Sequence, residues 1–141
     1  MRIELLDFQK LGDYRGSLIA IENNRNIPFD IKRIYYMFGT KIEMRRGCHA
    51  HRKLQQVLIC MSGSCNISLD DGIKTQHLVL DDPSKGLYLS GLIWRELYNF
   101  SEDCIVVVLA DDFYDEEEYI RDYSAFINLS NLINGSGSCD K

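Results

Sequence analysis

Short apolar runs separated by turn residues dominate this chain and restrict it to a β architecture. The runs at 17–22 (SLIAIE) and 31–38 (IKRIYYMF) are rich in β-branched and aromatic residues and are joined by the turn-forming ENNRNIP. QQVLICMSG (55–63) runs into Gly63. CNISLDDG (65–72) alternates polar and apolar residues and ends on Asp71-Gly72, a strong hairpin signal, with TQHLVLDDP (75–83) as its return strand. KGLYLSGLIWRELYNF (85–100) carries two stretches broken near Gly91, and CIVVVLAD (104–111) is an apolar run between polar clusters. Strands at intervals of roughly 8–12 residues predict an all-β sandwich or barrel.

From Asp115 the period changes. Tyr119, Ile120, Tyr123, Phe126 and Ile127 recur at helical spacing behind Glu116, Glu117 and Glu118, whose charges suit the positive end of a helix dipole. The spacing predicts a helix from 115 onward. The closing residues, NGSGSCDK, read as a flexible tail, so one domain is expected over 1–130 and a tail over 131–141. No internal repeat or linker marks a second domain in the 141 residues.

The net charge of −5 argues against a protein that binds nucleic acid by neutralising phosphates. No apolar run approaches the roughly 18–20 residues of a membrane helix. The start, MRIELLDFQKLGD, is too interrupted by charge for a signal peptide, so a cytoplasmic protein with no membrane partner is expected. Charge is also unevenly placed. Residues 32–53 hold Lys32, Arg33, Lys41, Arg45, Arg46, Arg52 and Lys53 against Glu43 alone, whereas DDFYDEEE (111–118) holds six acids and no base. A basic patch on an acidic protein suits a small anionic ligand better than a polyanion. The five cysteines form no CxxC and point to neither a disulfide framework nor a zinc knuckle; Cys60 and Cys104 read as core.

Two of the three histidines stand as His49-Ala50-His51. On a strand, residues two apart share a face, so both imidazoles would project into one space. They follow Arg45-Arg46-Gly47 and precede Lys53 and Gln55-Gln56, whereas His77 has no polar cluster beside it and reads as structural.

These residues resemble the cupin superfamily. Its first motif has His-x-His, a glutamate four residues on and a later glycine, where this chain has His49, His51, Gln55 and Gly63. Its second motif ends in a histidine followed four residues later by asparagine, where this chain has Arg95 and Asn99. The resemblance implies a jelly-roll β-barrel, here with a C-terminal helix. Two positions of the usual metal set have changed. An amide is a weaker ligand than a carboxylate, and a guanidinium has no lone pair to give a cation. Neither a metal nor any other cofactor is therefore expected.

RGCHAHRKLQQVLICMSGSCNISLDDG and GLYLSGLIWRELYNFSEDCIVVVLADDFYDEEEYIRDY narrow the likeness. With DYRGSLIAIE and IPFDIKRIYYMF, they resemble the dTDP-4-oxo-6-deoxyglucose 3,4-ketoisomerases over nearly all of residues 5–127. The resemblance implies a TDP-linked 4-keto-6-deoxyhexose as partner, a carbonyl moved from carbon 4 to carbon 3, a role in making amino sugars of cell-surface polysaccharides, and an intertwined homodimer. It places His49 and His51 in the active site, which we read as carbon base (His51) and oxygen-side acid/base (His49). Histidine suits this work without large pKa tuning.

Arg33 and Tyr35 share one face of their strand, with Ile34 and Tyr36 on the other. Arg33 is a candidate for the diphosphate because guanidinium forks match phosphate oxygens. Arg46, Lys53 and Arg15 are further candidates, and Tyr14, Tyr35 and Tyr36 could stack on thymine. Arg95 follows Trp94, where relatives forming the galacto-configured product have histidine. The sequence thus resembles the branch that yields TDP-3-keto-6-deoxyglucose, with Tyr14 contributing to that choice. The rival readings are a 3,5-epimerase-type cupin, a metal-dependent oxygenase and a non-catalytic sugar-nucleotide binder.

Overall fold

The computed structural model describes residues 2–138, with side chains through residue 135. In chain order it contains β1 (Arg2–Asp7), β2 (Leu11–Asp13), β3 (Gly16–Leu18), β4 (Arg33–Met37), β5 (Arg46–His51), β6 (Gln56–Ser62), β7 (Cys65–Asp70) and β8 (Thr75–Leu80). There follow β9 (Lys85–Ser90), β10 (Trp94–Tyr98), β11 (Ile105–Ala110), a 3₁₀ turn (Glu116–Glu118), β12 (Tyr119–Ile120) and the helix α1 (Tyr123–Ser138). Two antiparallel sheets of five strands result, ordered β1-β9-β6-β11-β4 and β12-β5-β10-β7-β8, and the hairpin β2–β3 pairs only with itself. The sheets share no strand pairing, so the expected jelly-roll barrel is realised as a sandwich. The run at 17–22 is strand only as far as Leu18.

Strand alternation sorts the side chains into three layers. Leu58 of β6, Ile67 and Leu69 of β7, Leu87 and Leu89 of β9, Leu97 of β10, and Val106 and Val108 of β11 meet between the sheets, each at most 3% exposed. Burying an aliphatic side chain of this size contributes about 1.5–3 kcal/mol, which makes this layer the main source of stability. Cys60 and Cys104 lie in it as expected. The intervening Val57, Ile59, Tyr88 and Leu109 face outward and are covered by Phe8, Ile27 and Phe29 from the N-terminal segments. On the other sheet, Ala50, Trp94, Ile120 and Phe126 seat α1.

The helix begins at Tyr123, not near 115 as its periodicity predicts. The Asp115 carboxylate accepts from the backbone N–H of Glu117 and caps a single 3₁₀ turn. Tyr119 and Ile120 then leave the helical path to pair with His51 and Ala50. The backbone edge of β5 wins this competition because the Glu118 carboxylate also accepts from the backbone N–H groups of Lys53 and Leu54, tying the segment to the loop after β5. At its other end α1 runs through Ser138, so residues 131–138 of the expected tail are helical, and 139–141 lie outside the described residues. No helix among the described residues is long and apolar enough to cross a membrane.

Phe126 has no exposed surface and packs its ring 5.8 Å from both Trp94 and Tyr123. Phe126→Ala should lower unfolding stability by about 3–5 kcal/mol in urea denaturation. A loss below about 1 kcal/mol would mean that α1 is not docked through this ring.

Candidate active site

Inner-facing residues of β4, β6 and β11 on one sheet, and of β5, β10 and β12 on the other, enclose a cavity of about 470 Å³. The His-x-His pattern behaves as its spacing predicts. Ala50 turns outward to α1, and the two imidazoles turn inward with Nε2 atoms 3.0 Å apart and ring planes at 87°. His49 lines the cavity, while His51 is fully buried. Gly47 makes the close approach of β5 to β10 workable. Its φ of +89° is open to glycine, and a Cβ there would stand 3.1 Å from Leu97 Cδ1. The register between β5 and β10 slips beside it, which leaves His49 opposite Arg95.

Arg95 is 3% exposed and has no carboxylate partner among the described residues. Its Nη1 donates to Gln56 Oε1 and its Nη2 to the carbonyl of Ile93 at 3.3 Å, while its Nε is buried without a partner. Burial lowers its pKa only to about 10, so the guanidinium stays charged at neutral pH. Gln56 Nε2 in turn donates to the Tyr35 hydroxyl at 2.9 Å. Burial raises the Tyr35 pKa, opposed by the charge of Arg95. The cupin-motif alignment on Gln55 needs correction here. Gln55 faces away and bonds Asp111 and Tyr88, and the amide aimed at the cavity is Gln56.

Both imidazoles are neutral at pH 7. Burial pushes His49 down to about 3, helped by the charges of Arg95 and Arg121 and opposed by Glu116. Burial likewise pushes His51 to about 2, helped first by Arg95 and then by its neighbours His49, Arg33 and Arg121. Two neutral rings joined through Nε2 share one proton, which leaves one lone pair on Nδ1 of the donor ring and one N–H on Nδ1 of the acceptor ring. Such a pair can take a proton from a substrate and pass one back. Among the described residues, no group of three or more His, Cys, Asp or Glu side chains is placed to hold a metal ion.

The remaining candidates divide. Tyr35, Arg46, His49 and Arg95 line the cavity. Tyr36 also borders it but stands on the opposite face of β4 at 64% exposure. Arg33 and Lys53 line an adjoining cleft of about 170 Å³, where the Arg33 guanidinium lies over Tyr35 and Tyr114 and its Nε has no hydrogen-bond partner. Tyr14 and Arg15 are not brought to the cavity within one chain. They sit on the β2–β3 turn, Tyr14 at 96% exposure and Arg15 paired with Asp13 at 2.6 Å.

Sequence reasoning missed Gln56, Tyr119 and Arg121, and counted Arg45 only as part of a basic stretch. Arg45 pairs with Glu96 at 3.1 Å and lies over Tyr98 at the cavity edge. Gln56 was legible, because alternation places it on the same face as Leu58. Tyr119 and Arg121 were hidden by the helical look of DEEEYIRDY.

The family described as "FdtA: WxcM-like, C-terminal" matches residues 1–131. The TDP-4-oxo-6-deoxy-alpha-D-glucose-3,4-oxoisomerase of Aneurinibacillus thermoaerophilus is 54% identical over 126 residues, which are 89% of this chain and 91% of that protein. The WlaRB TDP-quinovose 3,4-ketoisomerase of Campylobacter jejuni is 49% identical with a TM-score of 0.85, covering 89% of this chain and 97% of that one. The QdtA 3,4-ketoisomerase of Thermoanaerobacterium thermosaccharolyticum, solved as a variant with TDP-4-keto-6-deoxyglucose, is 42% identical with a TM-score of 0.90, covering 92% and 94%. A jelly-roll sandwich with a buried imidazole pair, matched along almost its whole length, therefore belongs to the FdtA family of WxcM-like C-terminal domains.

Proposed function

We propose that this protein is a sugar-nucleotide 3,4-ketoisomerase that converts TDP-4-keto-6-deoxyglucose to TDP-3-keto-6-deoxyglucose. The carrying observation is the neutral imidazole pair, 3.0 Å apart, beside a buried guanidinium with no carboxylate against it among the described residues. A base removes the proton on carbon 3, and its electron pair forms the carbon 3–carbon 4 double bond of an enediolate with charge on oxygen 4. The proton on oxygen 3 moves to oxygen 4, carbon 4 takes up a proton, and the carbonyl now stands at carbon 3. Arg95, itself almost wholly buried at the cavity wall, is placed to stabilise the oxyanion.

His49 is the ring with access to a substrate, since it lines the cavity and His51 lies behind it. We therefore assign proton transfer at the sugar to His49 and the relay of protons to His51, reversing the order the sequence invited. Arg46 makes no ion pair among the described residues and lines the cavity, and Arg33 and Lys53 flank it, so these cations suit the diphosphate. Arg95 in place of a second proton donor, together with the likeness to a quinovose-named enzyme, supports the gluco-configured product. A 3-keto sugar is a suitable substrate for an amino-group-transferring step, which supports the amino-sugar role that the resemblance implies.

The same reading includes a homodimer. Hairpin β2–β3 pairs with no other strand among the described residues, and edge strand β4 leaves Ile34 and Tyr36 exposed at 61% and 64%, with Phe38 beyond it at 70%. An intertwined pair would cover these apolar groups and offer Tyr14 and Arg15 to the other protomer's cavity. Sedimentation equilibrium should give twice the 16.3 kDa of one chain. A monomer with full turnover would remove Tyr14 and Arg15 from the site.

Incubation with TDP-4-keto-6-deoxyglucose followed by proton NMR should show a 3-keto product with an equatorial hydroxyl at carbon 4; an axial hydroxyl would contradict the product assignment. His49→Asn and His51→Asn should each reduce turnover by about 10²-fold or more while TDP binding is kept. A wild-type protein that binds TDP but converts nothing would instead be a binding module.

A further inference from the structure

We propose that Tyr119 is a positioning residue whose ring clamps the His49–His51 pair in its reactive geometry. Tyr119 lies in register with His51 across the β12–β5 pairing, so its ring is carried over the imidazoles by the strand itself. Its centroid is 4.5 Å from the His51 ring and 4.9 Å from the His49 ring, inclined to them by 61° and 49°. With the two imidazoles 4.7 Å apart, the three rings form a closed cluster in which each touches the other two. The Tyr119 hydroxyl has no hydrogen bond among the described residues, so the contact made is through the ring and not the oxygen.

The clamp is itself held in place from outside. The Arg121 guanidinium lies 4.4 Å from the Tyr119 centroid. Arg121 is fixed by a two-pronged bond to Glu116, through Nε at 2.7 Å and Nη2 at 3.0 Å. Glu116 also accepts from the Tyr114 hydroxyl, and the Tyr114 ring stands 5.5 Å from Tyr119. These contacts are possible because DEEEYIRDY leaves its helical path to pair with β5. One 3₁₀ turn and two strand residues deliver Tyr119 to the imidazoles with Arg121 stacked upon it.

Holding the rings has two consequences for proton transfer. The Nε2···Nε2 separation of 3.0 Å is short enough for a proton to pass between the rings, and loss of the clamp would free both χ2 angles. The Tyr119 ring also takes up space beside His51 that water would otherwise occupy. Water there would reduce the desolvation that, together with the surrounding groups, keeps the pair neutral. Those groups are Arg95 on β10, Arg33 and Tyr35 on β4, Arg121 after β12, and the opposing carboxylate of Glu116. The proposal rests on the isomerase reading for what the imidazoles accomplish, but its test reads the imidazoles directly.

That test is NMR of ring-labelled histidine between pH 4 and 8, on ligand-free wild type and on Tyr119→Phe and Tyr119→Ala. His77, bonded to Tyr98 on the β7–β8 side of the sheet, is the internal control. Tyr119→Phe keeps the ring and should match wild type in both titration and turnover. Tyr119→Ala should raise protonation of the histidine pair by about one to two pH units, so that titration begins inside this window where wild type stays neutral throughout, and should reduce kcat about tenfold or more. If the alanine variant does not fold, Tyr119→Leu supplies bulk without a planar ring and should shift the pair in the same direction. Unchanged histidine titration in the alanine or leucine variant would overturn the clamp, as would a phenylalanine variant as impaired as these. A wild type that titrates as expected but turns nothing over would defeat the isomerase reading and leave the clamp standing.

Discussion

A guanidinium buried between two β-sheets without a carboxylate is costly, and the arrangement around Arg95 follows from that cost. The chain satisfies part of it with neutral oxygens, the Gln56 amide and the Ile93 carbonyl, and leaves the charge itself unmatched. A carboxylate in the place of Gln56 would neutralise the site; the amide keeps it cationic. The same charge lowers the proton affinity of both histidines, adding to their burial. An unmatched cation and a neutral imidazole pair in one cavity are complementary to an enediolate, which presents a proton to take and an oxyanion to stabilise.

The sandwich supplies this site by alternation. Gln56 begins the strand whose Leu58 fills the core, and Arg95 precedes Leu97 on the same inner face, so cavity-lining and core residues are successive members of one pattern. Ala50 and Trp94, on the opposite faces, bind α1 and thereby brace β5 and β10 from behind. Gly47 permits the local approach of these strands. The helix is remote from the cavity, yet it supports the two strands that hold His49, His51 and Arg95.

Much of this was legible in the residues. The strand runs from 31 to 111 read correctly because apolar alternation and turn residues agreed, and His49-Ala50-His51 read correctly because its spacing of two has one meaning on a strand. What failed were features decided by tertiary pairing. Residues 115–120 have helical periodicity, but the unpaired edge of β5 and the backbone N–H groups of Lys53 and Leu54 attract them more strongly. Gln55 matched the motif by counting, whereas the pleat selected Gln56. Tyr14 and Arg15 look like site residues in sequence, and a single chain holds them in solvent, where only a second protomer could use them.

In the reaction proposed for this site the imidazole pair removes a proton from one face of carbon 3, while Arg95, which keeps its charge, leaves carbon 4 to be protonated from elsewhere. In a gluco-configured ring the hydrogens on carbons 3 and 4 lie on opposite faces, so one imidazole cannot carry the same proton between them. Turnover of TDP-4-keto-6-deoxyglucose in D₂O, read by NMR of the product, tests this directly. The account predicts solvent deuterium at carbon 4 and none at carbon 5. Protium retained at carbon 4 would reveal same-face transfer by a single base, and deuterium at carbon 5 would reveal epimerase chemistry; either result would contradict it.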